Sequence, residues 1–137
     1  MTYENFIEKL KKTGIDTTCF TEEFYNTFIE YIRLGDKIGV KDVDRNKFNV
    51  IFEKFHTFKK RISQSDYAAF VYIVKYNLLH HFKAEFYDKN NNSVGFKCYQ
   101  ALDLDNANDI AALFFNKICE INDEICAVKV VPIETFW

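Results

Sequence analysis

The spacing of apolar residues changes once along the chain, and this change limits the folds that the chain can adopt. Between about residue 3 and residue 62, apolar residues recur every three to four positions, which is typical of amphipathic helices. From residue 82 they alternate with polar residues, as in strands that bury one face. The sequence therefore predicts an α+β fold, with an N-terminal helical half followed by a β-β-α-β unit that forms a small three-stranded sheet.

The helical half is predicted to contain about four helices, at residues 3–13, 22–34, 44–62 and 66–81. Thr2 and Thr21 are placed to cap the first two helices, and Gly14 and Gly35 to end them. The fourth segment is apolar on nearly every side, so its pattern does not separate a buried helix from a buried strand. Its length favours a helix, which we expect to be buried on all sides. The pattern leaves open whether the connector at residues 35–43 contains a short strand.

The second half is predicted to begin with a β-hairpin. Residues 82–87 and 94–99 alternate on either side of an asparagine tract at residues 90–92, which tolerates the positive φ angles of a turn. Asp103 or Asp105 can cap a helix at residues 106–121, and a strand follows at residues 125–133. A chain of 137 residues has the size of one domain. We therefore predict a single domain, with a helical part at residues 1–81 and a ββαβ part at residues 82–137.

Composition bears on the cellular location. The sequence has no apolar run of 18 residues, and its first residues lack the basic and apolar regions of a secretory signal. Four cysteines in such a chain indicate reduced thiols rather than disulfides. We expect a cytoplasmic protein that does not interact with membranes. Lys, Asn, Ile, Phe and Tyr are abundant and Arg is scarce, which is typical of AT-rich coding sequences such as those of low-GC bacteria and their phages.

Two groups of carboxylates resemble metal sites. Asp42, Asp44, Asn46 and Glu53 occupy oxygen positions of a calcium loop, but Lys47 stands where the loop needs glycine. Aspartates 103, 105 and 109 are better explained by helix capping and by the helix dipole. The cysteines lack the paired spacing of a zinc site. We therefore predict no metal and no cofactor.

The sequence also lacks the common catalytic motifs. It has no glycine-rich phosphate loop and no nucleophile elbow. Cys98 can be paired on paper with His80 or His81, which keeps a small hydrolase or nuclease open as a third hypothesis. We predict no catalytic residues.

Charged residues form two candidate binding surfaces. A basic stripe on the third helix consists of Lys47, Lys54 and Arg61, which recur every seven residues, and of Lys60 beside them. Such a stripe can lie along a phosphate backbone or in an acidic groove, although most charged helix faces are simply solvated. An acidic face on and around the last helix consists of Asp103, Asp105, Asp109 and Glu120.

The end of the sequence offers a third candidate. Phe136 and Trp137, which include the one Trp of the chain, can fold back on the sheet or anchor a partner or a second copy.

The function that fits these features best is a non-enzymatic protein-interaction module. An inhibitor or regulator that occludes the surface of its partner is one form of this hypothesis. A phage-encoded protein directed at a host defence or nucleic-acid-processing protein is a special case. The alternative is a nucleic-acid-binding accessory protein that uses the basic stripe. The expected partners are thus a protein, nucleic acid in the alternative, and a second copy if the chain forms a homodimer.

Overall fold

The structure is a computed structural model that describes residues 1–134, and it confirms the predicted α+β class. Four helices precede a small three-stranded antiparallel sheet, and a fifth helix lies between its second and third strands. The elements are α1 Tyr3–Lys11, α2 Glu22–Lys37, α3 Arg45–Lys59, α4 Gln64–Ile73, a π-helix Val74–Leu78, β1 His80–Asp88, β2 Ser93–Ala101, α5 Leu104–Ile121 and β3 Ile125–Pro132. No helix within residues 1–134 is long and apolar enough to cross a membrane.

Contacts group the residues into two compact units. The helical unit contains Met1–Ile38 and Asp42–Leu78, and the sheet unit contains Gly39–Lys41 and the residues from Leu79 onward. The boundary at residues 78 and 79 lies close to the predicted division at residues 81 and 82. The single domain of residues 1–137 stays a prediction.

The helices of the helical unit begin at side chains that cap them. The hydroxyl oxygens of Thr2, Thr21 and Ser63 accept hydrogen bonds from backbone N–H groups three residues later, at 3.1–3.2 Å. Gly14, just beyond α1, has the predicted positive φ of 82°. The prediction that Gly35 ends α2 was wrong, because the helix continues to Lys37. A Cβ at Gly35 would lie 3.7 Å from the Phe48 ring, so the glycine lies where α2 and α3 pack closely.

The core of the helical unit is built from aromatic rings. Phe70 of α4 is 1% exposed and lies at its centre. The centroid of its ring is 5.7 Å from that of Phe6, 5.6 Å from Phe20, 5.1 Å from Phe24 and 4.9 Å from Phe28. Several of these pairs meet edge to face, the geometry that the ring quadrupole favours. Phe70 therefore joins α1, α2 and α4 through one cluster.

The fourth predicted helix differs from its prediction in two ways. It ends earlier, because α4 passes into the π-helix and then into β1, which already includes His80 and His81. The prediction of burial on all sides was also wrong, since Val71, Tyr72 and Tyr76 are exposed. Phe70, Ile73, Val74 and Leu78 fill the core from one side of the segment. The apolar residues on its other side are left in contact with solvent.

The sheet has the strand order β2-β1-β3, and all pairs are antiparallel. Phe82, Ala84 and Phe86 of β1 point to the face that packs with residues of α5 such as Ala107 and Ala111. The hairpin turn contains Asn91 with φ 62°, as its asparagine tract predicts. Asp103 caps α5 by accepting a hydrogen bond from the N–H of Asn106 at 3.0 Å. The three-stranded sheet and its connecting helix are thus confirmed.

Candidate functional site

The basic stripe is partly neutralised inside the helical unit. Lys47 Nζ lies 3.7 Å from Glu30 Oε1, and Lys54 Nζ lies 2.8 Å from Glu23 Oε1. These ion pairs join α3 to α2, and all four side chains remain accessible to solvent. Half of the predicted stripe therefore already has intramolecular partners.

The other half of the stripe lies beyond the end of the helix. The prediction carried helix α3 to residue 62, but it ends at Lys59, with Lys60 as its C-cap. Lys60 and Arg61 are both exposed. Lys59 Nζ lies 4.7 Å from the centre of the Tyr67 ring, a cation–π distance. The row of cations that could follow a phosphate backbone is therefore shorter than the sequence suggests, and nucleic-acid binding stays a prediction.

The acidic face is also divided. Asp105 and Glu120 are exposed, and Asp103 is engaged as the cap of α5. Asp109 has to be removed from the predicted face, because its side chain is only 2% exposed. It lies one helical turn after the buried Asn106, on the same side of α5.

Asp109 instead forms an ion pair within the sheet unit, in which its own side chain is buried and that of Lys41 is exposed. Its Oδ1 atom lies 2.7 Å from Lys41 Nζ, while Oδ2 has no hydrogen-bond partner among residues 1–134. The hydrogen bond to Asp109 raises the pKa of Lys41, and the charges of Asp109 and Asp105 add to this shift. The pair holds Gly39–Lys41 against α5, where a Cβ at Gly39 would approach Leu113 to 3.2 Å. Its role is structural.

One carboxylate in each of the two metal-like groups acts as a helix cap. Asp44 accepts hydrogen bonds from the N–H groups of Asn46 and Lys47, at 2.9 and 3.4 Å, at the start of α3. Asp103 has the same role in α5. In the part of the chain that the structure describes, no three His, Cys, Asp or Glu side chains are grouped so that they could hold a metal ion.

The thiol–imidazole pair falls on the sheet. His81 is opposite Gln100, and Cys98 is opposite Lys83, so His81 and Cys98 are diagonal neighbours on one face. His80 points to the other face, because side chains alternate along a strand. This placement brings His81 near Cys98 and puts His80 on the opposite face of the sheet. The hydrolase hypothesis remains untested.

A polar cavity of about 350 Å³ lies at one end of the sheet unit, between the hairpin turn and the loop before β3. It is lined by Asp88, Lys89, Asn90, Asp123, Glu124 and Cys126. The Asp88 carboxylate already accepts hydrogen bonds from the N–H groups of Asn90 and Asn92, both at 2.9 Å. The position of the Asp88 carboxylate is explained by the hairpin turn that it stabilises.

The most exposed aromatic surface of the helical unit was not predicted from the sequence. We call it the tyrosine face, and it consists of Val71, Tyr72 and Tyr76, which are 44%, 58% and 59% exposed. The two tyrosine rings contact each other, with centroids 4.7 Å apart. Lys75 Nζ lies 5.5 Å from the centre of the Tyr76 ring. Part of this face lies on the π-helix, a rare element that often occurs at functional sites.

The predicted aromatic anchor, Phe136 and Trp137, lies outside the described residues. No protein-family model matches the chain, and comparison with curated proteins and with solved structures likewise finds no match.

Proposed function

We propose that this chain is a non-enzymatic protein-interaction module that binds an apolar patch on another protein through the tyrosine face. The observation that carries the proposal is the exposure of Val71, Tyr72 and Tyr76 together on one side of a helical segment. A tyrosine side chain presents roughly 150–250 Å². At 58% and 59% exposure, the two tyrosines together leave roughly 170–290 Å² accessible. With Val71, this approaches the size of the largest apolar patch on a typical monomer, which is often functional.

The tyrosine face is also held in place before any partner binds. The opposite side of the same segment is fixed in the core by Phe70, Ile73 and Val74. Each tyrosine has only two side-chain torsions, and the two rings restrict each other through their contact. A partner therefore loses little free energy to ordering these side chains, and tyrosine is enriched among the residues that dominate binding energy.

In this proposal the chain acts in the cytoplasm by covering a surface of its partner, as an inhibitor or regulator. The tyrosine face consists of one valine and two tyrosines, which offer apolar contact area and two hydroxyl groups for hydrogen bonds, and this composition suits binding. The phage origin is a further hypothesis that rests on composition alone.

The proposal is tested by changing both rings and identifying what no longer binds. The double variant Tyr72→Asp/Tyr76→Asp places charges in the centre of the face without touching the core. A matched control, Val50→Asp, makes the same kind of change at a residue of α3 that is 64% exposed. Proteins captured from cells by the wild-type chain are identified by mass spectrometry, and the affinity of each purified candidate is then measured by calorimetry.

A partner that uses the tyrosine face should bind the double variant at least about 30-fold more weakly, because one interfacial hot spot is worth about 2 kcal/mol. The same partner should bind Val50→Asp as tightly as the wild type. If every captured partner binds the double variant with unchanged affinity, the tyrosine face is not the binding surface.

A further inference from the structure

The backbone pairing of the sheet shows which strand edge is open. The N–H of Ile133 donates to the carbonyl oxygen of His81 at 3.0 Å, so His81 directs its backbone groups toward β3. In an antiparallel sheet this direction alternates from residue to residue. Phe82, Ala84 and Phe86 therefore direct theirs toward β2. Pro132 agrees with this alternation, because it is opposite Phe82 and has no N–H to donate.

The same alternation fixes the direction of the backbone groups of β2. Phe96 and Cys98 are opposite Glu85 and Lys83, which bond toward β3. The N–H and C=O groups of Phe96 and Cys98 must then point away from β1. Since β2 is at the edge of the described sheet, these groups face outward.

The two edges of the sheet differ in their readiness to pair. On β3 the outward positions include Pro132, which cannot donate a hydrogen bond, and prolines are a common device against edge pairing. β2 has no proline, and beyond its register shift at Val94 the outward residues Phe96 and Cys98 are uncharged. The Phe96 side chain is 64% exposed. An edge strand with these properties is suited to accept another strand.

We propose that two copies of the chain pair along β2, antiparallel to each other, about a two-fold axis at Phe96. The two sheets would then join into one of six strands, and the Phe96 rings of the two copies would lie side by side. This contact uses the tyrosine face of neither copy and is independent of the proposed function. An isologous contact of this kind closes on itself and adds no further copies at this edge.

Charge favours this register over its neighbour. With the axis at Phe96, Lys97 of one copy is opposite Gly95 of the other, whereas an axis at Lys97 would place the two lysines directly opposite each other. A Cβ at Gly95 would meet no atom within 4 Å, so there is open space beside it. Lys97 Nζ itself lies 5.5 Å from the centre of the Phe114 ring, on the face covered by α5.

The contact area predicts a weak dimer. Complete burial of the exposed part of both Phe96 rings would remove roughly 200–300 Å² from water. The smaller stable protein interfaces bury about 1,200 Å² in total, so even with the strand backbones added this one falls at the low end. The dimer should therefore form at high concentration and dissociate on dilution.

The proposed dimer is tested by placing charges of either sign at Phe96, on the two-fold axis. Sedimentation equilibrium of the full chain from micromolar to millimolar concentration should show a monomer–dimer equilibrium. Phe96→Lys and Phe96→Glu each place like charges opposite each other, and each should raise the dissociation constant at least tenfold. An equimolar mixture of the two variants should recover dimers, because opposite charges then meet across the axis. Tyr72→Asp, a control on the helical unit, should dimerise like the wild type.

The proposal is overturned if the wild-type chain stays monomeric at millimolar concentration. It is equally overturned if Phe96→Lys and Phe96→Glu dimerise as well alone as together, since the axis then lies elsewhere. Circular dichroism of each variant establishes that it is folded, and because Phe96 is 64% exposed, neither change alters a core side chain.

Discussion

Replacing Phe70 by alanine should remove a large part of the stability of the helical unit. The Phe70 ring is 1% exposed and lies within 6 Å, centroid to centroid, of the rings of Phe6, Phe20, Phe24 and Phe28. Truncation of a fully buried phenylalanine costs about 3–5 kcal/mol, from lost burial and from the cavity left behind. We expect the upper half of this range, because five ring contacts, including one with Tyr67 at 5.5 Å, disappear together and the neighbouring rings are too rigid to fill the space.

The loss can be measured as a shift in the urea midpoint. With an m-value of about 2 kcal/mol per molar urea, a loss of about 4–5 kcal/mol lowers the midpoint by about 2–2.5 M. Tyr76→Ala provides the matched control, because it removes an aromatic ring from the same segment at a position that is 59% exposed. Its free energy of unfolding should change by no more than about 0.5 kcal/mol.

Hydrogen exchange in the same variant tests the predicted single domain. If residues 1–137 unfold as one cooperative domain, Phe70→Ala lowers the protection of the Ala84 amide, in the centre of the sheet, as much as that of amides in α4. If only the amides of the helical unit lose protection, the two units unfold separately and the single-domain prediction is wrong. A loss of less than about 1 kcal/mol in α4 itself would refute the assignment of Phe70 to the centre of the core.

Two further predictions concern the sheet unit. Burial raises the pKa of Tyr99 from 10.0 to about 12, while its hydroxyl donates to the Ala107 carbonyl at 2.7 Å. Between these two values the unfolded chain loses the Tyr99 proton first, so the free energy of unfolding should fall as pH rises. Tyr99→Phe should flatten this alkaline decline in urea titrations, and an unchanged decline would assign it to other groups. Asp103→Ala removes the cap of α5 and should lower the free energy of unfolding by about 1 kcal/mol in thermal melts. Asp103→Ser should restore most of it, and equal melting of the two variants would exclude a capping role.

The parts of the fold that the sequence predicts are those that depend on local interactions. Capping by Thr2 and Thr21 involves residues three positions apart, and the alternation of β1 is visible within a few residues. Gly35 shows the limit of such rules. Glycine commonly ends a helix, but here the helix continues past Gly35 to Lys37, where α2 packs against α3 and the Phe48 ring, which only tertiary structure brings near.

The candidate surfaces were harder to predict, because exposure depends on which neighbours a helix acquires. Residues 66–78 are so apolar that nothing in their order separates the buried Phe70 from the exposed Tyr72. Aspartate is usually found at the surface, but the Asp109 side chain is buried. Its charge is paired with Lys41, which is 68 positions away in the sequence. The two ion pairs between α2 and α3, by contrast, can be anticipated from the sequence. Glu23 and Glu30 have the same seven-residue spacing as Lys47 and Lys54.

That shared spacing has a consequence for how the helical hairpin assembles. Solvent-exposed ion pairs contribute little to stability, so the two lysine–glutamate contacts add little to the free energy of unfolding. They nevertheless discriminate between alignments: if α3 slid along α2 by a single turn, both lysines would lose their carboxylates at once. The charges that resemble a binding surface for a polyanion therefore also favour the observed alignment of α2 and α3 over one that is shifted by a turn.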